Sequence, residues 1–342
     1  MNAPAPRLGI AVRKADLAAE AERIDTFVAE HPEGTIFHRP QWSRTVERGC
    51  GQRAHCLIAE RGGVLIGLLP LTEVRSPLFG NALVSAGFGT GGGILGDGAQ
   101  ALAEAAWALG SPSVELRGGP VPQGWEATTG VYANFSRDLP GDAEALLAEI
   151  PKRQRAEVKK GLSASLATST GSDRRHRDAH FRVYSESVRN LGTPVFPRGL
   201  FEAALDEFGD EADVAVAWQD GRPLSALLNF YFKGAVQPYW GGGTAAARKA
   251  RANDLVQFDV MRRAIARGCV RADFGRSKIG TGPWSRKRIW GFDETPLTYA
   301  ARGEQRDMNP LNPKYRLQIA AWQRLPLWAA NRIGPLVSRG LG

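Results

Sequence analysis

The chain has 342 residues, long for one core and suited to two domains of ordinary size. Its 43% hydrophobic and 23% charged residues exclude a disordered chain, and a formal charge of +9 favours acidic partners: nucleic acid, nucleotide phosphate or an anionic membrane face. Cys50, Cys56 and Cys269 lack metal-ligand spacing and cannot all pair, which argues against a disulfide framework or a zinc site and for a reducing compartment.

MNAPAPRLGIAVRKADLAAEAERID has no signal-peptide apolar run, and no segment reaches the length of a membrane span, so a cytoplasmic location is expected. A helical stretch over about 14–30 leads to a β-hairpin turning at RGG, then a glycine-rich crossing, GFGTGGG (87–93). A helix over about 98–109 and a short apolar strand, SVELR, come next. The same order returns further on: a helical stretch over about 175–208, a hairpin turning at QDG, the crossing YWGGGT (239–244), a helix over about 249–267 and the strand VRADF. Laid over each other, IAERGGVLIGLLPL (58–71) and VAWQDGRPLSALLNF (216–230) match Ala59 with Ala217, Gly63 with Gly221, Ile66 with Leu224 and Leu69 with Leu227, all at an offset of 158. Gly34-Thr35 meets Gly192-Thr193 and Glu115 meets Asp273 at that same offset, which points to a duplicated domain.

Between the halves, Pro151 to Asp178 carries eight Lys or Arg against three acids. Its Lys152–Lys160 portion reads as a helix able to reach a phosphate or simply as a solvated connector, and its Ser/Thr portion reads as a linker. Past the second crossing, DFGRSKIGTGPW (273–284) and RKRIWGF gather Arg276, Lys278, Arg286, Lys287 and Arg288 among glycines, with no acid between Phe274 and Trp290. Such a loop offers donors and charge to phosphate or carboxylate, or is a solvated turn.

The runs YSESVRNLGTPVFP (184–197), PYWGGGT (238–244), ANDLVQFDVMRRA (252–264), DFGRSKIGTG (273–282), K..WGF (287–292) and NPLNPKYR (309–316) resemble the FemAB-like proteins associated with PEP-CTERM/exosortase and exopolysaccharide systems. The resemblance begins at FHRPQW (37–42) and covers nearly the whole chain. It implies an α+β fold of two tandem GNAT-like domains with mixed central sheets flanked by helices. The expected division is 1–150 for the first domain, 151–175 for the basic helix and linker, 176–308 for the second domain and 309–342 for a C-terminal basic aromatic segment. More distantly, the chain is similar to the Fem ligases, which move an aminoacyl group from charged tRNA to an amine of a peptidoglycan precursor.

Acyl transfer to nitrogen needs a neutral amine, a carbonyl held in line with it and donors facing the developing oxyanion. Asp273, at the end of an apolar strand, is a candidate to orient the amine or take its proton, or else caps the following turn. Tyr239 is the second catalytic candidate, with a phenol suited to the leaving group or the donor. Substrate contacts are expected at Tyr184, whose alternative is packing, and at Arg276, Ser277, Lys278 and Lys287, with Lys287 the best candidate for a phosphate. Relatives often carry an aromatic where this chain has Arg286. A donor-phosphate site is expected at Arg248, Lys249, Arg251 and Asn253 of TAAARKARANDL, where the glycine of the usual CoA-binding loop is missing.

No metal and no tightly bound cofactor are expected. Acyl-CoA and aminoacyl-tRNA both remain open as donors, tRNA remains open as a partner, and the acceptor is an anionic small-molecule or lipid-linked amine of the cell envelope or an exopolysaccharide system. The final segment, with four Arg, no acid, Trp322 and Trp328, either docks on the second domain or touches the inner membrane peripherally. The rival reading from another class is a noncatalytic protein of the same fold that binds a polysaccharide precursor or an assembly partner.

Overall fold

The computed structural model describes residues 9–304 and 315–342 and divides into two compact units. Of the described residues, the first comprises 9–129, 298–304 and 340–342; the second comprises 130–297 and 315–339.

In the first unit, β1 (Ile10–Lys14), α1 (Ala21–Glu30) and α2 (Pro40–Cys50) precede the hairpin of β2 (Arg53–Arg61) and β3 (Val64–Val74). β4 (Ala82–Ser85), β5 (Leu95–Gly96), α3 (Ala99–Trp107) and β6 (Ser113–Arg117) come after it. Strands β1, β2, β3 and β4 run antiparallel in that order, and β6 joins β4 in parallel at Leu83–Val114 and Val84–Glu115. Leu57, Leu69 and Leu71 of the hairpin pack on Leu102 of α3 and Leu116 of β6.

The second unit repeats this plan. It contains β7 (Glu126–Asp138, entering the unit at Gly130), α4 (Ala143–Glu149), α5 (Lys152–Ser163), β8 (Ala167–Gly171), α6 (Arg174–Leu191) and α7 (Arg198–Phe208). The hairpin of β9 (Ala212–Gln219) and β10 (Arg222–Phe232) leads to β11 (Ala235–Gly243), α8 (Ala247–Ala250), α9 (Ala252–Ala266) and β12 (Arg271–Lys278). α10 (Gly282–Ile289), β13 (Asp293–Gly303), α11 (Arg316–Arg324) and α12 (Leu327–Ser338) complete the chain. The sheet order is β7-β12-β11-β10-β9-β8, with the parallel pair at β11–β12. β3 and β10 begin and end 158 residues apart, as do the starts of β6 and β12, so the duplication read from the hairpin extends to whole elements.

Two expectations need correction. The halves do not divide at 150, because Tyr132–Asp138 of β7 pairs with β12 while Tyr299–Gly303 of β13 returns to pair with β6 of the first unit. Each half therefore takes its last strand from a segment outside the expected boundary. The Ser/Thr stretch is not a linker: Ala167–Gly171 pairs with β9 along its length as the edge strand β8. The helical stretch over about 175–208 consists of two helices, since Gly192 caps α6 in a left-handed conformation and Pro194 and Pro197 keep the chain extended before α7. Lys152–Lys160 does form a helix, α5, whose Val158 is fully buried in the core of the second unit.

The last helices dock on α6 and the segment after it: Ala330, Gly334 and Ser338 of α12 are buried, and Ser338 Oγ donates to the Val195 carbonyl at 2.8 Å. NPLNP of the motif at 309–316 lies outside the described residues. No helix among the described residues is long and apolar enough to cross a membrane.

Candidate functional site

β11 and β12 share a parallel ladder at only two positions, Ala235–Arg271 and Val236–Ala272. Beyond these, β11 runs on beside β10 and β12 runs on beside β7, so a space opens between the strands where no main-chain ladder closes it. Asp273 is the first residue of β12 past the split. There the β7–β12 register slips: Asp273 lies opposite Ser136 but Arg276 opposite Asn134, so three steps on one strand match two on the other. The bulge turns on Gly275, whose φ of +63° suits glycine and strains any side chain.

The bulge is locked by Asp273 and Lys287. Gly275 N–H donates to Asp273 Oδ1 at 2.8 Å and Asn134 Nδ2 donates to the same oxygen at 3.0 Å. From α10, Lys287 Nζ donates to the carbonyls of Gly275 (2.9 Å) and Arg276 (3.2 Å) and lies 5.5 Å from the centroid of the Phe135 ring. Trp290 and Phe292, buried in the core beside Phe135, anchor the end of that helix. Burial raises the pKa of Asp273 above the usual carboxylate value, against the opposing pull of the Gly275 N–H, Asn134 and Lys287. Burial also lowers the Lys287 ammonium to about 8, against the attraction of Asp273. A carboxylate of raised basicity beside a lysine of lowered pKa is an arrangement suited to proton transfer.

A second feature lies at the start of α9. Arg153, Gln154 and Glu157 of α5, Arg248 of α8, Arg251, Asn253 and Asp254 at the head of α9, and Arg286 and Ile289 of α10 line a cleft of about 350 Å³. Four guanidinium groups face two carboxylates there. Arg251 Nε pairs with Glu157 Oε2 at 2.6 Å, and Arg286 Nη2 with Asp254 Oδ1 at 3.0 Å. Arg251 itself sits at φ +60°, a left-handed position usually given to glycine. Several loop amides are already used, since Ala247, Ala250 and Arg251 N–H groups bond back within the turn and Ala245 N–H donates to Glu186 Oε1. An anion placed in this cleft would therefore meet side chains and the first amides of α9.

The structure brings Arg248, Arg251 and Asn253 together as expected, while Lys249 is exposed and outside the cleft lining. Lys287, expected on a phosphate, instead holds the bulge carbonyls. Arg276, Ser277 and Lys278 continue β12 past the bulge: the Arg276 guanidinium stacks 4.6 Å from the Tyr132 ring centroid, Ser277 is buried, and Lys278 offers its carbonyl to Thr281 Oγ1. Tyr239 lies on β11 past the split, against Phe230 and Trp240. Tyr184 is buried, stacked on His180 and packed edge-on to Phe201, and burial raises its pKa. His180, held neutral by burial with a pKa of about 4, places Nε2 2.9 Å from the Trp240 carbonyl, so α6 fixes the crossing. Sequence reasoning misses Asn134 and His180, while Arg153 lies in the Lys152–Lys160 helix that it read as able to reach a phosphate. Asn134 is 139 residues from its partner Asp273, and nothing local marks it.

The equivalent place in the first unit is closed. Glu115, the counterpart of Asp273, accepts from Arg117 Nε at 2.8 Å, and Arg117, itself buried, also donates to the Gly89 carbonyl. Trp42 of FHRPQW is buried with Nε1 on the Gly87 carbonyl, so aromatic side chains fill that crossing.

Residues 151–284 match the family model described as an acetyltransferase (GNAT) domain. A search of curated proteins found no match. Among solved structures, the chain is similar to FemX, at TM-score 0.65 and 15% identity over 90% of this chain and 99% of that one. It is also similar to the C-terminal domain (DUF2156) of a putative lysylphosphatidylglycerol synthetase from Agrobacterium fabrum (TM-score 0.56, 14% identity, 84% and 93% covered). A tandem GNAT protein from the clavulanic acid biosynthesis pathway superposes at TM-score 0.52, with 11% identity and 87% and 100% covered. At these identities the likeness is one of fold, and that fold is the tandem GNAT-like α+β architecture expected from the sequence.

Proposed function

We propose that the second unit transfers an acyl group from acyl-CoA to an amine held between the diverging ends of β11 and β12. The observation that carries this reading is the bulge at Asp273–Arg276, which sets a partly buried carboxyl and a low-pKa lysine at the mouth of the split. The basic cleft at the head of α9 and the match of residues 151–284 to an acetyltransferase model support it further.

In the proposed reaction the amine nitrogen attacks the thioester carbonyl, the C–N bond forms and the C–S bond breaks. Asp273 takes the proton the nitrogen loses, directly or through water, and the thiolate leaves as CoA and is protonated. Both hydrogen bonds to Asp273 end on Oδ1, so Oδ2 is the oxygen assigned to the proton. Lys287 keeps the bulge in shape and offers a positive charge beside Asp273. Tyr239, on the opposite wall, is assigned to the leaving group. The arginines of the cleft are assigned to the donor phosphates.

The acceptor proposed is an amine on a cell-envelope or exopolysaccharide-related molecule, supported by the resemblance of the quoted motifs to FemAB-like proteins. The test measures CoA thiol release from acetyl-CoA with a panel of amino sugars and peptides. Release that depends on both amine and Asp273 supports the reading. Transfer from aminoacyl-tRNA with none from acyl-CoA would replace the donor.

A further inference from the structure

Two helices at the end of the chain carry an outward face that the proposed reaction does not use. On α12, Ala330, Gly334 and Ser338 recur every four residues and are buried, Gly334 and Ser338 against Val195 just past α6. The opposite side of the same helix carries Trp328, Arg332 and Leu336, with Arg339 just past its end. Trp328 is 74% and Leu336 71% exposed, and Ile333 at the flank is 42% exposed. α11 repeats the plan one helix earlier: Ile319 packs on Gly192 at the end of α6, while Leu317, 83% exposed, and Arg324 turn away. Leu191, the neighbour of Gly192, adds a further exposed leucine beside them.

Large apolar side chains left this open are costly in water unless something covers them. The charges among them say what. From Arg316 to the last residue the chain carries Arg316, Arg324, Arg332 and Arg339 and no Asp or Glu. α6 adds Arg189, which donates to the Gln323 carbonyl. Alternating arginine with exposed leucine and tryptophan suits the boundary of an anionic bilayer, where the guanidinium groups meet headgroup phosphates and the indole sits at headgroup level. A protein partner would have to bury these arginines against matching acids at every turn.

We propose that the outward face of α11 and α12 is a membrane-surface contact that binds bilayers rich in anionic phospholipid, peripherally and reversibly. The proposal is independent of the reaction assigned to the second unit.

The full-length protein is sedimented with vesicles of phosphatidylcholine alone and of phosphatidylcholine containing about 30% phosphatidylglycerol at roughly 0.1 M salt. Binding is expected to the anionic vesicles only. Trp328→Ser with Leu336→Ser is expected to weaken it by about tenfold or more, and Arg324→Gln with Arg332→Gln by roughly 30-fold. These positions are exposed, so the melting temperature of each variant should match that of the parent. Arg61→Gln with Arg222→Gln, at the hairpin tips, removes the same charge elsewhere and should leave binding nearly unchanged. Equal loss in that control would show unspecific attraction of a basic protein and overturn the proposal, as would failure to sediment. A concentration-dependent dimer abolished by Trp328→Ser would assign the face to a second copy and overturn it too.

Discussion

Burial disfavours the charged form of both Asp273 and Lys287, raising the one pKa and lowering the other. Replacing Asp273 by Asn keeps an oxygen for the Gly275 N–H and removes the proton acceptor. The expected result is a fall of about 10²–10⁴-fold in turnover with CoA affinity unchanged, read by steady-state kinetics and titration. For Lys287 the pKa is lowered from 10.5 to about 8, so between those values the folded protein binds fewer protons than the unfolded chain. Stability contributed at this position is therefore lowest below pH 8 and rises with pH toward 10.5. Comparing urea unfolding of the parent and of Lys287→Met, the parent should gain on the variant by about 3 kcal/mol across the whole window. A difference that stays flat with pH would show that the ammonium is not desolvated.

Two elements shape the site through backbone alone. At the β12 bulge, a Cβ on Gly275 would meet no atom within 4 Å, so Gly275→Ala tests φ and nothing else. It should cost about 1–2 kcal/mol in urea unfolding, and activity should fall further as the Asp273–Gly275 bond loosens. At the head of α9 the situation is inverted, because a left-handed position is held by Arg251. Arg251→Gly relieves that conformation while deleting the charge. If side chains hold the donor phosphates, CoA affinity should drop by about tenfold while the fold is retained. Unchanged affinity would return the role to backbone amides.

Across the whole chain, what is legible in the sequence is local. The hairpins β2–β3 and β9–β10 carry matching glycines and leucines, so their repeat can be read and extended to Glu115 and Asp273. The motifs around Asp273, Arg251 and Lys287 stand in contiguous runs and are readable as well. Pairing between distant strands is not. Nothing in GVYANFSRD says that it lies beside ADFGRSK, and nothing in TYAARG says that it returns to SVELR, because a strand's alternation records which faces are buried and not which neighbour it bonds. For that reason the sequence hides Asn134 and suggests a boundary at 150 that the strands do not respect. The duplicated plan also explains why one half carries the candidate site: in the first unit Arg117 saturates Glu115 and Trp42 fills the crossing, whereas in the second the carboxyl stands beside a lysine at the split.

Donor binding at the head of α9 is the claim on which the proposed reaction stands, and calorimetric titration of the full-length protein with CoA and acetyl-CoA at moderate salt measures it. Saturable binding at a single site per chain is expected, weakened by Arg248→Gln with Arg251→Gly and unaffected by Asp273→Asn. No heat from a protein that remains folded would contradict an acyl-CoA transferase.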